Sequence, residues 1–194
     1  RTVSLDDGRV IAYDKLLIAT GAKPRRLSLP GGELADVLRD YGEADHLRDR
    51  LRHSASAAII GGGFIGLEVA SSARKLGCAV ALIEAQPRIL MRGVPEEIAA
   101  VVHARHLAAG VDMHVGTGLQ SIETDGVLMQ DGRKIKADIV IAGIGAAPET
   151  TLAAQAGLTL DNGIACDETL RTSDPHIYAA GDCCSFPHSL FGNK

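Results

Sequence analysis

Apolar residues along this chain fall into short runs bounded by glycines and charges, and the runs read as buried strands alternating with helices. The clearest succession begins with a short apolar strand at residues 57–61. It leads into Gly61-Gly62-Gly63-Phe64-Ile65-Gly66 and an apolar helix reaching about Leu76. A second apolar strand, 78–83, then delivers Glu84. Pro95 suits a first helical position and is followed by Glu96 and Glu97, so the next helix is expected to run to about Ala109 and stop at Gly110. Residues 111–115 return as a strand, 119–136 read as a β-meander, and 139–142 form another buried strand ending in Gly143-Ile144-Gly145. This order predicts an α/β fold, a Rossmann-like parallel sheet with helices on one face and a β-meander on the other.

An internal repeat organises the rest. Residues 3–24 align without gaps onto 127–148, with nine of twenty-two positions identical at a constant offset of 124. Shared positions include Asp7 with Asp131, Gly8 with Gly132, Arg9 with Arg133, Gly21 with Gly145 and Pro24 with Pro148. Each copy reads as a hairpin turned at Asp-Gly, then a buried strand (16–19 and 139–142) ending in Gly-Ala-x-Pro. Two related domains therefore end here. The second has its strand, glycine loop and helix inside the chain, whereas the first has none, so a matching start is expected upstream of Arg1. The chain is read as a fragment.

The glycine loop carries the chemistry. Gly61 permits the tight turn, Gly63 lets a pyrophosphate approach the backbone, and Gly66 permits close packing of helix on strand. The helix N-terminus offers free N–H groups and the positive end of its dipole to that anion. Glu84 follows Gly66 by eighteen positions; a carboxylate there accepts both ribose hydroxyls and repels a 2′-phosphate, which predicts NADH over NADPH. Arg88 and Arg92 are each able in principle to answer a 2′-phosphate, but Glu84 holds the nearer position. The bland alternative is an ordinary tight turn beside a solvated strand end.

Composition narrows the picture further. With 194 residues, 46% of them hydrophobic, the chain holds one well-buried core and part of a second. Its apolar runs are far shorter than the roughly 20 residues of a membrane helix. No signal-peptide order of residues occurs at the N-terminus. A net charge of −4 with both signs interspersed argues against a nucleic-acid footprint. The four cysteines form no disulfide framework, zinc spacing or CxxC, and a reducing cytoplasm fits them best. Cys183-Cys184 reads as structural burial rather than a redox centre. His103 and His106 lack a third ligand in register, so no metal site is expected and both read as surface residues. Arg25, Arg26, Arg39, Arg48, Arg50 and Arg52 make the early segment basic, which would suit an acidic partner, although a solvated charged face is the preferred reading.

Three segments carry a resemblance: residues 13–21 (YDKLLIATG), 61–68 (GGGFIGLE) and 172–182 (TSDPHIYAAGD). In them the chain resembles the FAD-dependent pyridine nucleotide oxidoreductases, specifically the ferredoxin reductases coupled to oxygenases. The resemblance implies domain limits of 1–26 for the end of a first FAD-domain segment, 27–147 for an NAD(H)-binding domain, and 148–194 for an incomplete second FAD-domain segment. It implies that Thr20 and Gly21 lie at the flavin-domain junction, that Arg39 reaches toward FAD, and that Asp182, after Gly181, holds the ribitol. It further implies that Phe64, Ile65, Glu68, Glu84, Ala85, Arg92, Ile144 and Gly145 line the NADH channel, with Glu68 near the carboxamide. Hydride passage from NADH to FAD, then single electrons to a ferredoxin- or rubredoxin-type protein, is the implied chemistry. The cofactors perform it, so no catalytic nucleophile or acid–base pair is expected in this span.

Two rivals remain at this stage. One is the oxidase, peroxidase or disulfide-reducing branch of the same superfamily, from which thioredoxin reductase is disfavoured because no CxxC lies near the NAD site. The other is a non-enzymatic NADH-sensing module of the apoptosis-inducing-factor type.

Overall fold

The computed structural model describes residues 1–190. Strands β1 (Thr2–Ser4), β2 (Val10–Ala12), β3 (Leu16–Ile18) and β4 (Ala22–Pro24) come first, followed by α1 (Tyr41–Arg52), β5 (Ser56–Ile60), α2 (Phe64–Lys75) and β6 (Ala79–Glu84). Then come α3 (Glu96–Ala108), β7 (Val111–Val115), β8 (Leu119–Glu123), β9 (Gly126–Met129), β10 (Lys134–Lys136) and β11 (Ile139–Ala142). The last are β12 (Ala146–Pro148), α4 (Thr151–Gln155), β13 (Ile164–Ala165), β14 (Ile177–Ala179) and β15 (Cys184–Ser185). The chain divides into two units, one of Pro24–Gly145 and one built from residues 1–23 and from residue 146 onward.

The unit Pro24–Gly145 is built on a parallel sheet in the order β11-β5-β6-β7. Side chains alternate across a strand, and here both faces are apolar, as a sheet covered on both sides requires. Ala57, Ile59, Val80, Leu82, Ile139 and Ile141 pack with Leu47 and Leu51 of α1, Leu67 and Ala73 of α2, and Ala99 of α3. Their neighbours Ala58, Ile60, Ala81, Ile83, Val140 and Ala142 pack instead with Ile122, Val127 and Met129 of the antiparallel meander β10-β9-β8. Each leucine or isoleucine so buried contributes about 2 kcal/mol.

Local chemistry fixes the helix starts. Asp40 caps α1 through a reciprocal box: its carboxylate accepts the Glu43 N–H at 2.9 Å, and Glu43 Oε2 accepts the Asp40 N–H at 3.3 Å. Pro95 stands just outside α3, with ψ of 151°, so the first helical residue is Glu96 rather than the proline. His106 is half-buried and sits between two helices. Its Nδ1 lies 2.9 Å from Val102 O and its Nε2 3.2 Å from Leu67 O, which joins α3 to α2. Arg74 joins the same two helices at their C-terminal ends, donating to Ala109 O at 3.0 Å and Cys78 O at 2.7 Å.

In the other unit, β3 pairs in parallel with β14 and β13 with β15, around a core of Ile18, Ala153, Ile164, Ile177, Ala179 and Cys183. Cys183 is fully buried and Cys184 half-buried. The sequence repeat is a structural one. Gly8 and Gly132 both turn their hairpins at φ +83°, a region that favours glycine. Beside them Asp7 accepts the Arg9 N–H, and Asp131 the Arg133 N–H, each at 3.0 Å. The equivalent last strands of the two copies, β4 and β12, pair with each other.

Candidate functional site

The glycine loop turns sharply between β5 and α2. Gly61 sits at φ +106° with its N–H on Ile83 O, and a Cβ there would lie 2.5 Å from Gly143 O. At Gly66 a Cβ would lie 2.0 Å from Gly61 O, so only glycine lets α2 approach the strand end this closely. Gly63 differs from both: a Cβ would meet nothing within 4 Å, and the position faces open space. It is also the N-cap of α2, and it has no side chain to accept from the helix's first N–H groups.

Glu84 stands at the carboxyl end of β6, half-buried. Its Oε2 accepts the Gly62 N–H at 2.6 Å and its Oε1 the Gln86 N–H at 2.7 Å. Two backbone donors thus hold the carboxylate against the glycine loop, with lone pairs left over for hydroxyl donors. Around them lies a cleft of about 380 Å³ at the carboxyl ends of β5, β6 and β11, where open α/β sheets bind ligands.

Of the residues expected from sequence, Gly61, Gly62, Gly63, Phe64, Glu84, Ala85, Arg92, Ile144 and Gly145 line this cleft. Gly66 is buried beneath it, and Ile65 and Glu68 are exposed on the first turns of α2 outside its lining. Arg39 is exposed just before α1, where its backbone N–H donates to Glu43 Oε2 at 2.7 Å. Leu27, Leu29, Leu90, Met91, Thr117 and Leu119 also stand in the walls and carried no motif that marked them. Arg88 turns away from the cleft: its guanidinium donates to Ile89 O and Val94 O, each at 3.1 Å, and braces the loop between β6 and α3.

Thr20, Gly21, Gly181 and Asp182 belong to the other unit. They follow the adjacent parallel strands β3 and β14, which Ala180 N–H to Ile18 O continues at 3.0 Å. Gly21 (φ +70°) and Gly181 (φ +83°) turn the chain at the two strand ends. Thr20 Oγ1 donates to Glu149 O at 2.7 Å, and the Glu149 N–H returns to Gly21 O at 2.9 Å. All four thiols are unpaired, and burial raises the pKa of Cys78, Cys166 and Cys184. Among the described residues, no group of three or more His, Cys, Asp or Glu is placed to hold a metal ion, and no helix is long and apolar enough to cross a membrane.

Parallel strands, crossover helices and a glycine loop facing an acid at the next strand end define a Rossmann-like α/β protein of the dinucleotide-fold class. The chain belongs to the pyridine nucleotide-disulphide oxidoreductase family, whose pattern it matches over residues 1–191. It is 44% identical to a rubredoxin-NAD(+) reductase of Pseudomonas putida over 99% of its length, covering 52% of that protein. With the putidaredoxin reductase of the same organism it shares 41% identity over 97% of its length, covering 48% of that protein. Among solved structures, the ferredoxin reductase for the CYP199A2 system from Rhodopseudomonas palustris superimposes with a TM-score of 0.94 at 40% identity. That match covers 100% of this chain and 52% of the reductase. The chain thus spans about half the length of the relatives it matches.

Proposed function

We propose that this chain supplies the NADH-binding part of an FAD-dependent reductase that delivers electrons to a ferredoxin- or rubredoxin-type iron–sulfur protein of an oxygenase system. The observation that carries the reading is the Glu84 carboxylate, fixed by the Gly62 and Gln86 N–H groups at the mouth of the glycine loop. Residues 27–147 act as the NAD(H) domain, while 1–26 and 148–194 contribute to an FAD domain, a division supported by the separate unit of Pro24–Gly145. The names of the relatives, rubredoxin and putidaredoxin reductases, support the electron acceptor.

The residues present suit a dinucleotide. Gly63 leaves the pyrophosphate room at the N-terminus of α2, and the first-turn N–H groups bind it. Glu84 accepts the ribose hydroxyls and repels a 2′-phosphate, which sets NADH above NADPH. Leu27, Leu29, Met91 and Ile144 give the cleft apolar walls that exclude water from the bound ring systems. In the other unit, Thr20, Gly21, Gly181 and Asp182 gather at neighbouring strand ends and offer a carboxylate and hydroxyl to the polar chain of a flavin cofactor. Bound FAD supplies the conversion of a two-electron donor into single-electron transfers. Buried thiols of raised pKa are poor nucleophiles, which weighs against a disulfide-reducing role for the cysteines of this chain. Their unpaired state supports a reducing compartment, the cytoplasm.

Calorimetric titration with NADH and NADPH tests the reading. The parent chain is expected to prefer NADH, and Glu84→Gln, which removes the charge but keeps the shape, to reduce that preference about tenfold. Equal binding of both nucleotides by the parent, or an unchanged ratio in the variant, would refute it.

A further inference from the structure

Leu90 occupies the left-handed region, at φ +53°, where a leucine is strained. It lies in the loop between β6 and α3, nearly buried, with its side chain in the core under the helices and against the cleft. Its backbone, however, does something the packing alone does not explain. The Leu90 N–H donates to Gly62 O at 2.9 Å, while the Gly62 N–H donates to Glu84 Oε2 at 2.6 Å. Both polar groups of Gly62 are therefore held, one by the last residue of β6 and one by the loop that follows it. Ile89, fully buried, presses on the same residue, since a Cβ on Gly62 would lie 2.7 Å from Ile89 Cγ2. The turn is closed on its far side by Val94 N–H to Leu90 O at 3.3 Å and by the Arg88 guanidinium on Ile89 O and Val94 O.

We propose that Leu90 is a positioning residue for nucleotide selection: its left-handed turn clamps the Gly62 peptide, and so fixes the glycine loop and the Glu84 carboxylate in one mutual geometry. The inference rests on the NADH reading of the cleft and deepens it. An extended Leu90 would swing its N–H away from Gly62 O. Gly62 would then lose one of its two ties, and the Glu84 carboxylate, still held by the Gln86 N–H, would be left with a less firmly fixed partner in the loop. Met91 and Arg92, the next residues and part of the cleft wall, take their direction from the same turn. Acting through backbone, Leu90 needs no contact with the nucleotide to set its preference.

Two substitutions separate conformation from packing. Leu90→Val stays apolar but is β-branched, and such a residue is a severe outlier at positive φ. Leu90→Asn sacrifices the apolar side chain but accepts the conformation, as Asn162 does at φ +49° in this chain. NADH and NADPH dissociation constants are measured by calorimetry for parent and variants, with amide exchange at Gly62 and Leu90 followed without nucleotide. Leu90→Val is expected to weaken NADH binding about tenfold, erode the preference over NADPH and accelerate exchange at both amides; Leu90→Asn is expected to restore preference and slow exchange. Loss of preference in both variants overturns the proposal, because the side chain is then what counts. Retention in both overturns it as well. A parent chain that binds both nucleotides alike overturns the NADH reading itself, a result distinct from either.

Discussion

Three glycines of one loop do different physical work, and substitution should separate them. A methyl at Gly66 would stand 2.0 Å from a backbone oxygen that cannot move without opening the turn. Gly66→Ala is therefore expected to cost about 3 kcal/mol in denaturant unfolding, the upper end of overpacking. At Gly63 the same methyl meets nothing, and φ of −81° suits alanine. Gly63→Ala should thus cost less than about 1 kcal/mol, the loss of a glycine cap, yet weaken NADH binding by occupying the space the pyrophosphate needs. A Gly63→Ala protein that binds NADH as the parent does would show that the anion lies elsewhere. The turn at Gly61 and the close packing at Gly66 were legible in the sequence because the glycine pattern itself marks positions where a side chain would collide with backbone. The Leu90 turn was not, since nothing in a run of apolar residues distinguishes one that folds back onto a glycine loop.

At the scale of elements, the sheet is tightly determined and the helices less so. β6 lies between two parallel neighbours, and its side chains alternate between the helix face and the meander face. Leu82, fully buried on the helix side, is expected to cost about 3 kcal/mol when changed to alanine. α3 contrasts with it: Ile98 and Val101 are each 56% exposed and only Ala99 is buried. Ile98→Ala should leave stability within about 0.5 kcal/mol of the parent; comparable losses at the two positions in chemical denaturation would contradict this division. Apolar runs locate both elements in the sequence, but they do not say which apolar residues of α3 find a partner. His106 makes the same point. Three-residue spacing from His103 suggests two surface imidazoles, and only the crossing of α3 over α2 places Leu67 O beside one of them.

For the whole molecule, acid is the informative perturbation. Glu149 is held at about 2, first by Lys23 and then by Thr151, and Asp167 at about 2, first by Thr169 and then by Arg171. A folded-state pKa below the ordinary value means that the ionised form favours folding. Their contribution is complete above their ordinary values of 4.5 and 3.8, and it is lost as pH falls toward about 2. Asp138, whose carboxylate accepts Ser56 Oγ–H and the N–H groups of Ser56 and Ala55, is lowered for the same kind of reason and adds to the same window. Unfolding midpoints are expected to drop between about pH 4 and pH 2, and less steeply in a Glu149→Gln, Asp167→Asn double variant; an identical slope would show that these carboxylates do not govern acid stability. The sequence by itself determined the strand–loop–helix–strand succession, the glycine turn, the acid at the next strand end and the repeat of Asp-Gly hairpins. Each is set by local backbone sterics, side-chain alternation or near-neighbour hydrogen bonding. Only the tertiary structure decided which apolar residues wall the cleft, that Arg88 braces a loop instead of facing a phosphate, and that β3 and β14, the strands Thr20 and Gly181 follow, lie side by side. Those outcomes depend on segments distant in the chain, whose residues look alike until packing gives each one a neighbour.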